Sequence, residues 1–155
     1  MKVFICSYSG FSLAVPMDNV SSIMLLTEDF TKSADYKNKI YLDEENCNTY
    51  ISLPFLFNCP SVNTKHGIIL KYPGEKNDVI MKNKTILLST EIECESEIPD
   101  NNIFPIPKSF GTLNFSLFFK GILFSSMLHE SAGNLILLLN PELIVQNINK
   151  EKTND

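Results

Sequence analysis

Apolar residues along this chain come in short runs, broken by turn-forming residues too often for long helices. Val3 to Tyr8 and Phe11 to Val15 alternate or cluster as strands do, and Ser9-Gly10 between them predicts a hairpin. Pro16 stands where a helical turn could begin, with Asp18 in its first turn and Val20 and Ile23 spaced to face a core. Met24 to Leu26 then resumes an extended run. Thr27 to Lys39 is polar and aperiodic, which predicts a loop.

The middle of the chain reads as short strands at Ile40 to Leu42 and Tyr50 to Leu53, separated by the acidic stretch Asp43-Glu44-Glu45-Asn46. Pro54 stops the second, and Phe55 to Phe57 is apolar but brief. Gly67 to Tyr72 is an almost unbroken apolar run ending at Pro73-Gly74, a turn signal. Val79 to Met81 and Thr85 to Ser89 flank Asn83-Lys84 and predict another hairpin. Glu91 to Ile98 places glutamates at 91, 93, 95 and 97, alternating with Ile92 and Cys94, as in a strand with one solvated face. Prolines at 99, 105 and 107 keep the next stretch extended and out of any central strand.

Toward the end, Phe115 to Phe124 predicts a long strand in which Gly121 marks a bulge or a close backbone approach. Leu135 to Leu139 is a five-residue apolar run that fits a fully buried strand. Asn140-Pro141-Glu142 signals a helix start, with an N-cap, proline at the first helical position and a carboxylate in the first turn. Leu143, Ile144 and Ile148 would dock that helix, and residues 150–155 form a polar tail. The sum is nine or ten short strands and one or two short helices without strand–helix alternation. A mainly β barrel or sandwich follows, as one domain over residues 1–149.

Composition narrows the functional classes. Hydrophobic residues make up 44% and charged residues 20% of the 155, an ordinary globular balance, with a net charge of −5. All 13 basic residues are lysines. Without arginine's planar fork, and with no basic stripe, the chain lacks the usual means of reading phosphates and guanine edges, so no nucleic-acid partner is expected. Cys6, Cys47, Cys59 and Cys94 are scattered without a C-x-x-C pair, which fits reduced thiols in a cytoplasmic protein better than zinc or a disulfide framework. The N-terminal apolar stretch is diluted by Ser7, Tyr8, Ser9 and Gly10, and no run approaches the ~20 residues of a membrane span, so no membrane insertion is expected.

No catalytic constellation emerges. Nucleophilic catalysis needs a base beside its nucleophile. The two histidines, His66 before a strand and His129 in a loop, lie in no recognisable motif, and Ser125-Ser126 lack a nucleophile elbow. The six glycines form no phosphate cradle, metal ligands do not cluster, and no cofactor is expected. The row of glutamates reads as a solvated face. Apolar surface remains as a resource: among the eleven phenylalanines, Phe55, Phe57, Phe104, Phe118 and Phe119 lie in short or proline-bounded segments and are candidates for a partner-binding face.

Several segments, taken in order, resemble the CheW family of chemotaxis coupling proteins. The opening hairpin followed by Leu13-Ala14-Val15-Pro16 with Val20 and Ile23 is similar to that family's first hairpin and its exit. Ile103-Phe104-Pro105-Ile106-Pro107 resembles its I-x-P-x-P segment. Phe119-Lys120-Gly121-Ile122 resembles its strand of apolar residue, any residue, glycine, apolar residue. Leu137-Leu138-Leu139-Asn140-Pro141-Glu142-Leu143-Ile144 resembles the closing strand and helix, with Asn140 in place of the usual aspartate. The resemblance runs from Met1 to about Asn149.

It implies two small five-stranded SH3-like β-barrels sharing a hydrophobic core, and a non-catalytic adaptor that couples chemoreceptors to a CheA-type histidine kinase. The implied partners are the kinase's regulatory domain, the chemoreceptor cytoplasmic tip and other CheW-like domains. Val20, Ile23, Met24, Leu42 and Asp43 are the candidate partner-binding residues, each apolar one competing with plain core packing. One departure stands out: where the family carries an L-R-G motif, this chain has Leu42-Asp43-Glu44, so an acid replaces the arginine and the glycine is missing. An interaction module of the same fold with altered partners is therefore the main alternative. A small hydrolase using His66 or His129 is a distant third.

Overall fold

The structure is a computed structural model and describes residues 1–8, 11–32, 40–52, 64–71, 84–89, 91–108, 118–124 and 135–152. Within these, ten strands form two five-stranded sheets. Strands β1 (Lys2–Tyr8) and β2 (Phe11–Pro16) make the expected antiparallel hairpin. The acidic strand β8 (Glu91–Glu97) pairs with β1; β10 (Leu135–Leu139) runs parallel to β2; β9 (Phe119–Phe124) closes the order β8-β1-β2-β10-β9. The second sheet holds β3 (Val20–Leu25), β4 (Ile40–Asp43), β5 (Asn48–Ser52), β6 (His66–Leu70) and β7 (Thr85–Ser89) in the order β3-β6-β7-β5-β4. Read from β8 and from β3, both sheets repeat one pattern of pairings: antiparallel, antiparallel, parallel, antiparallel. The chain leaves the first sheet after β2, builds the whole second sheet, and returns at β8.

Burial explains why the central strands read as unbroken apolar runs. Residues of alternating parity point to opposite faces, and in the central strands both faces are covered. Leu13, Val15, Phe119 and Leu139 of the first sheet meet Ile51, Ile68, Leu70 and Leu87 of the second in one shared seam, joined by Ile144 and Val145. The outer face of the first sheet buries Val3, Ile5, Ala14, Leu123, Ile136 and Leu138 under Met1, Cys94 and Ile103. The outer face of the second buries Tyr50, Ile69, Ile86 and Leu88 under Met24, Leu26 and Phe30.

Helix α2 (Pro141–Lys152) starts where the asparagine–proline signal puts it. Ile144 and Val145 are its buried contacts and Leu143 is half-buried; the side chain of Ile148 lies outside the described residues. The helix continues through Lys152, two residues further than Lys150, so the expected tail at 150–155 begins as helix.

Three further expectations change. After Pro16 the helical turn is only a 3-10 turn over Met17–Asn19, and Val20 to Leu25 is strand β3. Five residues of the expected loop form helix α1 (Glu28–Lys32), started by Thr27, whose Oγ1 accepts the Phe30 N–H at 3.3 Å, and held by Phe30 against Tyr50 with ring centroids 4.6 Å apart. Thr85–Ser89 pairs with β6 and, in parallel, with β5. Its expected partner Val79 to Met81, the stretch Phe55 to Phe57, Phe115, the turns at Ser9-Gly10 and Pro73-Gly74, and His129 lie outside the described residues.

Gly121 sits where the sequence asked for a close approach. A Cβ there would lie 2.7 Å from the Phe104 carbonyl oxygen and 2.7 Å from Ile103 Cγ2. The contact exists because the proline-flanked segment crosses β9: Phe104 N–H donates to the Ile122 carbonyl and Ile122 N–H to the Phe104 carbonyl, both at 2.9 Å.

Candidate protein-interaction site

A five-stranded sheet leaves two edges, and an open edge is a row of unpaired main-chain donors and acceptors that a protein must protect or use. Three of the four edges here are protected. Edge β8 carries four exposed glutamates. Edge β9 is covered by the Phe104 bridge to Ile122. Edge β4 is four residues long and runs into Asp43, Glu44 and Glu45. The fourth, β3, is six residues long and contains no charged residue: Val20, Ser21, Ser22, Ile23, Met24, Leu25.

The candidate residues divide between the two edges of this one sheet. Val20 is 9% exposed and packs in the shared seam, so it anchors β3 from within. Met24 is half-buried over the outer cluster, against Gly67, where a Cβ would lie 3.1 Å from its Cγ. Ile23 is 38% exposed and is the member of this group that presents itself. Beside it stands Leu25, 75% exposed, which the sequence pattern hid inside an apolar run; the absence of charge along β3 was the signal available for it.

Leu42 and Asp43 sit on β4, at the opposite edge from β3. The register carries Leu42 through Thr49, Thr85 and Leu70 to Val20, one row across all five strands. Leu42 is 47% exposed at the end of that row. The Asp43 carboxylate is engaged locally: Oδ1 accepts the Asn46 N–H at 3.3 Å and Oδ2 accepts Asn46 Nδ2 at 2.8 Å. The turn it closes includes Cys47 at φ 55°, a left-handed position that glycine adopts more readily. Of the phenylalanine candidates, Phe119 is buried and Phe118 half-buried, whereas Phe104 is exposed and stacks edge-on against Phe124 at 5.4 Å.

The remaining chemistry is quiet. His66 lies opposite Ser89 in the β6–β7 register, but Ser89 is fully buried and its Oγ donates to the Glu91 carbonyl at 3.2 Å. The buried His66 Nδ1 and Thr64 Oγ1 have no hydrogen-bond partner among the described residues. Among those residues, no group of three or more His, Cys, Asp or Glu side chains is placed to hold a metal ion. No described helix is long and apolar enough to cross a membrane.

Burial pushes the Cys6 thiol from an ordinary 9.0 up to about 12, with a Ser89 hydrogen bond pulling the other way and the Glu93 charge adding to the rise. The folded protein therefore keeps this proton between those two values while the unfolded chain releases it. Stability is complete below the unfolded value and falls as pH rises above it. At pH 10 the loss is about 1 kcal/mol. Urea unfolding at pH 7 and pH 10 should show that extra loss in the native chain and not in Cys6→Ala; equal losses in both would refute it.

The chain matches no protein-family model and no curated protein. Among solved structures it is similar to the scaffolding protein TtCheW of Thermoanaerobacter tengcongensis, with a TM-score of 0.58 and 15% identity over 90% of this chain and 83% of that one. The fold is CheW-like.

Proposed function

We propose that this chain is a cytoplasmic, non-catalytic adaptor that couples chemoreceptors to a CheA-type histidine kinase in bacterial chemotaxis. The observation that carries the reading is the pairing of a CheW-like fold, shared with a protein described as scaffolding, with one uncharged, exposed sheet edge. An adaptor works by presenting surfaces whose relative position is fixed. Here the shared seam holds the two sheets together, so a partner at β3 and a partner at β4 would sit on opposite edges of one rigid sheet. Ile23 and Leu25 dock the kinase's regulatory domain, Val20 and Met24 hold β3 in place beneath them, and Leu42 contributes to the second contact, with a receptor tip or another CheW-like domain.

Calorimetric titration of the full chain with the regulatory domain of the CheA-type kinase from the same organism tests this. Saturable binding is expected, weakened about tenfold or more by Ile23→Lys, as for a desolvated hot spot. No heat of binding at high micromolar concentration removes the kinase-adaptor reading and leaves the fold untouched.

A second reading keeps the fold and changes the partner. The Asp43 carboxylate is committed to its own turn, at the place where the resembled family carries the arginine of its L-R-G motif. An acid there also repels what an arginine attracts. Binding to the kinase domain without binding to a chemoreceptor tip would favour an interaction module with altered partners.

A further inference from the structure

The backbone of β3 specifies more than its side chains do. Leu26 N–H donates to the Lys65 carbonyl and Lys71 N–H to the Asn19 carbonyl, both at 2.9 Å, so the two ends of β3 are tied to odd-numbered residues flanking and following β6. The period of two in an antiparallel ladder gives Gly67 and Ile69 the same direction, toward β3. Their partners are Met24 and Ser22. Ile23 and Leu25 therefore turn their N–H and C=O groups away from β6, on the side where β3 pairs with no other strand among the described residues. These are also the two residues of β3 with large exposed apolar side chains.

We propose that β3 adds a partner's strand to its sheet, the main-chain groups of Ile23 and Leu25 pairing with an extended, uncharged segment that carries apolar residues at alternate positions. This rests on the adaptor reading and names how that site holds its partner. Outward donors and acceptors repeated every second residue match another extended chain and nothing helical, whose own main-chain groups are already paired. The edge offers no charge to pair, so a charged strand would lose hydration without compensation. The irregularity between Val20 and Ser22 ends the regular ladder there, which limits the added strand to the Ser22–Leu25 stretch. A second copy of this chain is the poorer occupant: each copy carries a charge of −5, and like charges oppose self-association.

Amide hydrogen exchange, followed by NMR on the full chain alone and saturated with the kinase regulatory domain, tests the proposal. The Ile23 and Leu25 amides should slow at least tenfold on binding, while those of Ser22 and Met24, already paired to β6, change far less. Leu25→Pro, which deletes one outward N–H, should weaken binding about tenfold, and Leu25→Val, which keeps it, less than threefold. Binding with unchanged Ile23 and Leu25 amides overturns strand addition and spares the adaptor reading. Slowing that grows with concentration in the chain alone overturns it in favour of a second copy. No binding at all removes both readings together.

Discussion

Gly121→Ala should destabilise the protein by about 3 kcal/mol. The new Cβ would meet a backbone carbonyl oxygen and Ile103 Cγ2, each at 2.7 Å. The carbonyl has little freedom to retreat, because Phe104 and Ile122 are joined by two hydrogen bonds at 2.9 Å. Either those bonds break or β9 is pushed off β10, and moving Ile103 would also uncover the outer cluster of the first sheet. The lower entropy of an unfolded chain containing alanine returns only about 0.4–1 kcal/mol. Breaking the bridge has a second effect, since it uncovers an edge that the fold otherwise closes. Urea unfolding should show the loss, and light scattering a greater tendency to aggregate. A loss under about 1 kcal/mol would mean that the crossing segment yields freely, contrary to this argument.

Leu87→Ala should cost about 3–4 kcal/mol. Leu87 is fully buried on β7, the middle strand of its sheet, and its neighbours across the ladder are Ile51 and Ile68. It faces the seam where Leu13, Val15 and Leu139 arrive from the other sheet, so the cavity would open between two layers that are each already rigid. Domains of this size are stable by about 5–15 kcal/mol, which makes such a loss a large share of the whole. Leu25→Ala is the control. It removes the same atoms from a residue that is 75% exposed and should change stability by less than about 0.5 kcal/mol. Comparable losses from both would contradict the division drawn between core and edge.

That division shows what the sequence could and could not say. Central strands announced themselves as apolar runs at Leu135 to Leu139 and within Gly67 to Tyr72, where β6 ends at Leu70, and β8 announced itself by alternation with glutamate. Gly121 and Asn140-Pro141 carried local chemistry that survives in any context. Strand β3 did not: Val20 and Ile23 are three residues apart, which reads as a helix, but Ser21, Ser22 and Ile23 are indifferent helix formers and β6 supplies a complete partner. Helix α1 leaves no periodic signal because five residues are too few for one, although Thr27 ahead of Glu28 and Asp29 is a legible cap. Of the candidate residues, the register places Val20 and Leu42 at the two ends of one row, and no spacing along the chain could have revealed that row.

The insertion of one sheet into the other sets an order for folding. Strands β3 to β7 are contiguous in the chain and can pair without waiting for anything outside residues 20–89. Strands β1 and β2 cannot be completed until β8 and β10 arrive from the far end, which is the long-range closure that slows folding most. On a ribosome the first hairpin would therefore emerge early and wait with both flanks open, while the sheet made after it is finished first.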